Sequence, residues 1–320
     1  MKKLVTVILV LFLAGGIAFA GGGQQSSGKT KIGFSPYTLK NEYFTAVQRG
    51  VETACKELGF DLITLDPQGS ETTQASQIDD MIAQGIKALV YIPQNSQGAR
   101  SVLQACRAAG VKVVNIDNVV IKDDYDLVDA IIASDNIQLG YLSGEWVAKN
   151  RTGGANVLIV HLQTAESCHI NVEGFWKGIR DNVTNPALFR EVAVVEGGGA
   201  TDVAFPVVVN ALQAHSNINV IYAINDTSAL GAIQAVRDAG KTASIAVIGK
   251  DAAPIGKHAI KEGTMVQSSA QRPTYMGYQG VKTASELLKG NKVEFNVSIP
   301  SYTVDSSNIN NFDLDSWDTL

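Results

Sequence analysis

The stretch Ile86 to Asp117, IKALVYIPQNSQGARSVLQACRAAGVKVVNID, returns in altered form from Asn219 to Asp251, as NVIYAINDTSALGAIQAVRDAGKTASIAVIGKD. In both copies an apolar run is followed by a polar break, a helical stretch that ends near Ala-Gly, and a second apolar run that ends in aspartate. An apolar run, a helix and another apolar run predict a βαβ unit of a buried parallel sheet. Two such units, this far apart, predict two similar α/β lobes.

The polar breaks of the two copies indicate where a ligand would bind. Gln94 and Asn95 follow the first run of one copy, and Asn225 and Asp226 follow the first run of the other. Ligands of open α/β sheets bind outside the carboxyl ends of the strands. We therefore expect a binding site between the lobes.

Strands and helices alternate along the rest of the chain, which predicts an α/β fold of two doubly wound parallel-sheet lobes. One helix is expected to start near Ser96 and a later one to cover 172–182. Asp135 and Asp226 are predicted helix N-caps. Glycines follow the first three predicted helices, where a left-handed C-terminal cap favours them: Gly59, Gly85 and Gly110.

The chain is expected to pass between the lobes three times, near Ser134, Ser268 and Ser298, so that three segments form a hinge. The first lobe would comprise residues 31–134 and 269–297, and the second lobe residues 135–268 and 298–320.

The N-terminal segment differs from the rest. Lys2 and Lys3 precede the apolar run 4–14, and the small-x-small pattern at 18–20 is typical of signal-peptide cleavage. We predict a signal peptide over 1–20 and therefore a periplasmic location, with an N-terminal membrane anchor as the alternative. Residues 21–30, GGGQQSSGKT, have the composition of a flexible linker.

The composition excludes several classes of function. The chain has 320 residues, 45% hydrophobic and 18% charged, which is ordinary for a soluble globular protein. Loss of residues 1–20 removes two lysines and moves the formal charge from −5 to −7. An acidic chain without a basic cluster binds nucleic acid poorly, so no nucleic-acid partner is expected.

Cysteines and histidines give no sign of a disulfide framework or of a metal site. Cys55, Cys106 and Cys168 are an odd, sparse set. The four histidines have no metal-ligand spacing. We therefore predict no metal and no other cofactor, and we expect a monomer.

Seven short segments, in this order, carry a resemblance to a known family: 41–44 NEYF, 115–118 NIDN, 133–136 ASDN, 172–175 VEGF, 225–226 ND, 249–251 GKD and 271–273 QRP. With them the chain resembles the periplasmic sugar-binding proteins of the ribose-binding type, which share their fold with the effector domains of LacI-type repressors. The resemblance covers essentially the whole chain after the N-terminal segment. It implies two lobes joined by three strands and closing on one small ligand.

The resemblance also implies ligand contacts in both lobes and at the hinge. The matching positions are Asn41, Tyr43 and Phe44 at the first helix, Asp117 after the fourth strand, Asn225 and Asp251 in the second lobe, and Gln271 at the hinge.

Two departures from the family pattern bear on the ligand. Asn118 and Asn171 stand where many members carry arginines, and His169 lies two residues before the second of them. Ribose- and galactose-type members usually place that second arginine on ring or hydroxyl oxygens. The missing arginine argues against ribose and galactose, while the resemblance still implies a polyhydroxy ligand, with Asn118, His169 and Asn171 as further candidate contacts. The loop 197–199, three glycines without an aromatic residue, could admit a bulkier ligand.

These residue types suit a sugar or polyol. Carboxylates and side-chain amides hydrogen-bond hydroxyls, and the carboxylates do so with charge assistance. Aromatic rings cover the C–H faces, and two carboxylates disfavour an anionic ligand. Each candidate also has a structural alternative. Asp117 and Asp251 could cap turns, one of the adjacent Tyr43 and Phe44 could be core packing, and His169 could hydrogen-bond within a loop.

The function expected from the sequence is the substrate-binding component of an ABC importer, with a membrane permease and an ATPase as partners. A sensor that presents the bound sugar to a chemoreceptor or sensor kinase would use the same binding chemistry and is the alternative. An enzyme acting on a sugar is a remote alternative, since the paired carboxylates come from opposite lobes.

Overall fold

The computed structural model describes residues 28–317. The predicted signal peptide, residues 1–20, and residues 21–27 of the predicted linker lie outside this range. The strands of the described part are β1 Lys31–Ser35, β2 Asp61–Thr64, β3 Ala88–Tyr91, β4 Lys112–Ile116, β5 Ala130–Ser134, β6 Ala155–His161, β7 Phe189–Glu196, β8 Val220–Ala223, β9 Ala246–Asp251, β10 Gln267–Ala270, β11 Asn296–Ile299 and β12 Thr303–Asp305. Its α-helices are α1 Glu42–Leu58, α2 Glu71–Ala83, α3 Arg100–Ala108, α4 Asn136–Asn150, α5 Glu166–Asn182, α6 Thr201–Ala214, α7 Asp226–Asp238, α8 Pro254–Glu262 and α9 Pro273–Leu288.

The strands form two six-stranded sheets, one in each lobe, as the duplicated βαβ unit predicts. The first sheet has the order β11-β5-β4-β3-β1-β2 and is parallel throughout. The second has the order β12-β10-β9-β8-β6-β7 and is parallel except for β12, which runs antiparallel to β10. The fold class is therefore α/β with two parallel-sheet lobes. In both lobes the central strands are buried along their whole length, as their continuous apolar sequences predict.

The chain crosses between the sheets after β5, after β10 and after β11. Two crossings differ by two residues from the division expected from the sequence. Residues 269–270 still pair within the second sheet, because the register Ala270↔Asp251 extends β10, and residues 298–299 pair within the first sheet as part of β11. The helix α9 packs on α1 in the first lobe.

Three helix starts differ from the predictions. The helix α3 begins at Arg100 and not near Ser96. Ser96 lies in the loop before α3, because its hydroxyl donates a hydrogen bond to the Val119 carbonyl. The helix α5 begins six residues before the predicted 172. The N-cap of α7 is Asn225 and not Asp226, since the Asn225 side chain accepts the hydrogen bond from Ser228 N. The predicted cap Asp135 is confirmed by its bond from Gln138 N.

The glycine caps are confirmed, with φ angles of 73° at Gly59, 83° at Gly85 and 70° at Gly110. Between residues 28 and 317, no helix has both the length and the hydropathy that crossing a membrane requires.

Candidate functional site

A cavity lies between the two lobes, at the carboxyl ends of their strands, where the sequence predicts it. Its volume is about 60 Å³, which is space for about four to six waters, since one water needs about 10–15 Å³ by the same measure. Eight of the ten candidate residues line it: Asn41, Tyr43, Phe44, Asp117, Asn118, Asn225, Asp251 and Gln271. The cavity is therefore suited to a small molecule.

The first-lobe wall is built at the N-terminus of α1. Asn41 caps this helix by accepting a hydrogen bond from Tyr43 N at 2.9 Å. That cap orients the buried Tyr43 so that its hydroxyl donates to Asp117 Oδ1 at 2.6 Å. Burial raises the pKa of Asp117, although the bond from Tyr43 opposes the shift. Burial, followed by the charge of Asp117, raises the pKa of Tyr43 well above its ordinary value, so the phenol remains a donor.

Aromatic rings form a second part of this wall. The Phe44 ring stacks on Tyr37 with 5.5 Å between centroids, and it meets Tyr43 edge-on at 5.2 Å. Both Tyr37 and Phe44 line the cavity, while Tyr43 lies in the core as well as in the cavity wall. Of the two adjacent aromatics, Tyr43 therefore both packs in the core and lines the cavity, and Phe44 lines the cavity. Tyr37 is a further aromatic of this wall, which sequence reasoning missed.

The hinge holds the second-lobe aspartate in place. Gln271 Nε2 donates to Asp251 Oδ1 at 2.9 Å, and Ser134 Oγ donates to Gln271 Oε1 at 2.6 Å. Two of the three crossing segments are thus connected through one glutamine. Burial raises the pKa of Asp251 to about 7, although the Lys250 ammonium and the bond from Gln271 oppose the shift.

The asparagines in the cavity are largely engaged by the protein itself. Asn225 Nδ2 donates to Gly199 O at 3.0 Å while its Oδ1 caps α7. Asn118 Nδ2 donates to Pro93 O at 2.9 Å, and its Oδ1 accepts from Ser96 Oγ at 3.2 Å. These side chains therefore shape the cavity and retain only part of their hydrogen-bonding capacity for a ligand.

Asp226 lies behind the cavity as a buried structural group. Its carboxyl accepts from Ala253 N and Ser268 Oγ, each at 2.8 Å. Burial, reinforced by the charge of Asp251, raises its pKa well above the ordinary value. The residue fastens α7 to the segment before α8 and to β10.

The structure does not bring His169 or Asn171 to the cavity. Because α5 starts early, both lie within this helix and not in a loop. His169 is exposed, with Nε2 at 2.9 Å from Gln163 O. Asn171 is fully buried and donates to Asn136 Oδ1 at 2.8 Å. Asn171 Nδ2 also donates to Ser167 O at 2.5 Å. Asn136 and Ser167 both line the cavity, so Asn171 can affect a ligand only indirectly, through these neighbours.

The glycine-rich loop lies outside the inner cavity. Gly198 and Gly199 line a wider outer cleft of about 830 Å³, which shares Asn41, Phe44 and Asn225 with the cavity. The loop therefore bounds the entrance and not the inner chamber.

Lys250 is a charged residue of the cavity that sequence reasoning also missed. It lies in β9 directly before Asp251, and its side chain is only 9% exposed. Lysine is almost never fully buried without a partner, so a lysine within an apolar strand run was the available signal. Ser167 and Cys168 also line the cavity, because α5 begins at Glu166.

Comparison with known proteins agrees with this geometry. Residues 32–292 match the family described as periplasmic binding protein domain. The ribose import binding protein of Bacillus subtilis is 31% identical over 309 residues, which cover 94% of this chain and 98% of that protein.

The chain belongs to the periplasmic binding protein family.

Solved structures of solute-binding proteins of ABC transporters are similar to this chain. A solute-binding protein of an ABC transporter from Bacillus halodurans, with bound myo-inositol, has a TM-score of 0.81 and 26% identity, covering 90% of this chain and 98% of that one. Another from Mycobacterium smegmatis, with bound glycerol, has a TM-score of 0.83 and 26% identity, covering 92% of this chain and all 100% of that one.

In this periplasmic binding protein the two lobes are in contact on both sides of the cavity. Asn41 Nδ2 lies 3.5 Å from Thr227 Oγ1 on one side. On the other, Ser96 N donates to Thr164 O at 3.0 Å, and Ser167 Oγ donates to Asp117 O at 3.0 Å. The structure therefore shows the closed arrangement of the lobes. Across residues 28–317, no cluster of His, Cys, Asp and Glu is arranged to hold a metal ion.

Proposed function

We propose that the protein binds a neutral sugar, polyol or related polyhydroxy compound between its lobes and is the substrate-binding component of an ABC importer. The observation that carries the proposal is a closed cavity of small-molecule size that is lined by Asp117 from one lobe, Asp251 from the other and an aromatic wall. The relative from Bacillus subtilis is named for ribose import, and the one from Bacillus halodurans holds myo-inositol.

The chemistry of the cavity supports this ligand class. Hydroxyl groups donate to carboxylates with charge assistance and accept from amide and ammonium donors. Phe44 and Tyr37 offer an apolar surface for C–H groups. Because two aspartates and only one lysine line the cavity, an anionic ligand is disfavoured. A site with buried polar groups also rejects analogues that lack a hydroxyl, because its partners are then left unpaired.

The partners and the location follow from the same proposal. The protein would act as a monomer, be exported to the periplasm by its N-terminal signal peptide, and deliver its ligand to a membrane permease driven by an ATPase. It would have no nucleic-acid partner, in keeping with the formal charge of −7 that remains without residues 1–20.

The test is thermal unfolding of the protein, without residues 1–20, against D-ribose, D-allose, xylitol and myo-inositol. Carried-over ligand is first removed by partial unfolding and refolding. A ligand at 100 times its dissociation constant stabilises the folded state by about 2.7 kcal/mol. We expect a clear rise in melting temperature with one or a few of these compounds. A flat response to all four would contradict the proposed ligand class.

A further inference from the structure

The Lys250 ammonium has a buried position and an incomplete set of partners. The side chain is 9% exposed and lines the interlobe cavity. Among residues 28–317, its ion-pair partner is Asp251, with 4.0 Å between Lys250 Nζ and Asp251 Oδ1. That distance is beyond hydrogen-bond range. Within the described part of the chain, the three N–H groups of Lys250 therefore have no hydrogen-bond acceptor.

The other buried lysine of the second lobe shows what a satisfied ammonium looks like in this fold. Lys257 is fully buried and donates to the carbonyl oxygens of Asp313 and Ser316. A buried ammonium is stable only when it is paired and hydrogen-bonded. The contrast indicates that a molecule bound in the cavity supplies the hydrogen-bond acceptors for Lys250.

The surrounding charges keep Lys250 protonated. Burial alone lowers the pKa of Lys250, but the charges of Asp251 and of other acidic groups nearby more than offset this and raise it. The residue is therefore a fixed cation at neutral pH. Among the described residues that line the cavity, Lys250 is the one lysine or arginine.

We propose that Lys250 Nζ donates hydrogen bonds to the bound ligand and, together with Asp251, recognises a vicinal diol. One hydroxyl of the diol would accept from Lys250 Nζ, and its neighbour would donate to the Asp251 carboxylate. Two oxygens on adjacent carbons can bridge groups that lie 4.0 Å apart. This inference rests on the proposed function and specifies its ligand as a neutral polyhydroxy compound with adjacent hydroxyls.

The first experiment compares wild type, Lys250→Met and the control Lys87→Met by isothermal titration calorimetry with D-ribose, D-allose, xylitol and myo-inositol. Methionine keeps the length of the side chain and removes its charge, and Lys87 is exposed on the first lobe. We expect Lys250→Met to weaken binding by roughly 10- to 150-fold, the range for a charge-assisted hydrogen bond. The control should bind as wild type does.

The second experiment separates ligand contact from a merely structural role. Monodeoxy analogues of the compound that binds best are titrated against wild type and Lys250→Met. If Lys250 contacts a particular hydroxyl, loss of that hydroxyl weakens binding to wild type strongly and binding to the variant far less, which is the coupling that a double-mutant cycle detects. Equal penalties in both proteins for every analogue would overturn the proposal.

The outcomes distinguish the two proposals. If wild type binds none of the four compounds, the proposed function fails, and the assignment of Lys250 fails with it. If wild type and Lys250→Met bind equally well, the cavity is a polyhydroxy site and only the assignment of Lys250 is wrong. If Lys250→Met does not fold, ¹⁵N NMR of wild-type lysine side chains gives the answer. The Nζ protons of Lys250 must exchange more slowly with the ligand bound, and an unchanged exchange rate would overturn the proposal.

Discussion

Two aspartates at the ends of β4 and β9 have backbones that non-glycine residues rarely adopt. The φ angle is 62° at Asp117 and 112° at Asp251. Such conformations cost about 1–3 kcal/mol each and persist where the surrounding structure enforces them. Here they turn both carboxyl groups into the interlobe cavity. Backbone strain at both aspartates fits a binding role better than turn capping alone.

Asp251→Asn should weaken ligand binding by roughly 10- to 150-fold, because a charge-assisted hydrogen bond of about 1.5–3 kcal/mol becomes a neutral one or is lost. The amide keeps the shape of the side chain and can still accept from Gln271. Calorimetry with the best compound of the panel measures the change. Asp238→Asn, at an exposed second-lobe position, is the matched control. Full affinity in Asp251→Asn would remove this residue from the site.

The pKa of Asp251 also makes the stability of the ligand-free protein depend on pH. The folded carboxyl has a pKa of about 7, against an ordinary value of 3.8. The folded state therefore binds the proton more tightly, and the stability that this proton confers is complete below about pH 4 and is lost as the pH rises to about 7. The pKa values of Asp117 and Asp226 are raised as well, so these two residues also make the folded state less stable as the pH rises.

We expect the melting temperature of ligand-free wild type to decrease between pH 5 and pH 7, and Asp251→Asn to reduce this decrease without abolishing it. Thermal unfolding in buffers of constant ionic strength measures both slopes. An equal slope in wild type and variant would contradict the raised pKa of Asp251.

At the scale of elements, the early start of α5 creates a contact that closes the cleft. Ser167, in the first turn of this helix, accepts from Val119 N at 3.0 Å and donates to Asp117 O at 3.0 Å. Both partners belong to the loop after β4 in the other lobe. One hydroxyl therefore couples lobe closure to the backbone of a cavity-lining aspartate.

Ser167→Ala should weaken ligand binding by roughly tenfold, because the closed form then buries an unpaired amide at Val119 while an open form exposes it to water. Calorimetry measures the affinity, and small-angle X-ray scattering of the ligand-free protein should show a larger radius of gyration. Ser216→Ala, at an exposed second-lobe position, is the control. An unchanged affinity would mean that this contact does not stabilise the closed form.

A second element-scale feature is the close approach of α8 to Asp226. A Cβ atom added at Gly256 would lie 2.1 Å from Asp226 Oδ2. Gly256→Ala should therefore destabilise the fold by about 1–3 kcal/mol, the usual cost of overpacking, as measured by urea unfolding. Helix propensity alone predicts the opposite sign, about 1 kcal/mol of stabilisation. A stabilised variant would contradict the tight packing of α8.

At the scale of the whole molecule, the C-terminal tail connects the two lobes. Phe312 and Leu314 pack on the second-lobe core, and Lys257 of α8 binds the tail carbonyls of Asp313 and Ser316. Trp317 then packs in the first-lobe core, edge-on to Tyr43 with 5.6 Å between centroids. The sequence-based division assigned 298–320 to the second lobe, whereas the side chain of Trp317 packs in the first lobe.

Trp317→Ala should destabilise the ligand-free protein by about 3–5 kcal/mol, the usual cost of truncating a buried tryptophan, and should also weaken ligand binding, because Tyr43 loses a packing partner. Urea unfolding and calorimetry measure the two effects. Trp176→Ala is the control: this ring packs in the second lobe against Phe175 and does not line the cavity, so its loss should affect stability alone. Unchanged ligand affinity in Trp317→Ala would show that the tail does not position Tyr43.

The local signals of the sequence carried most of the fold. The glycine caps and the cap at Asp135 were correct because each depends on a backbone conformation set by one or two residues. The starts of α3 and α5 were wrong because Ser96 and Ser167, near these starts, hydrogen-bond the backbone of Val119, which lies in the loop after β4 and is distant in sequence from both. Periodicity within one segment contains no information about such partners.

By itself the sequence determined the two α/β lobes and the place of the cavity between them, because hydrophobic period acts locally and the duplicated unit fixes the strand ends. The family resemblance supplied the eight predicted residues that line the cavity. Only the tertiary structure decided that Lys250 faces the cavity, that His169 and Asn171 do not, and that Trp317 supports Tyr43. The physical reason is that burial, unpaired donors and contacts between lobes arise from residues far apart in the chain, which meet only when both lobes have folded and closed.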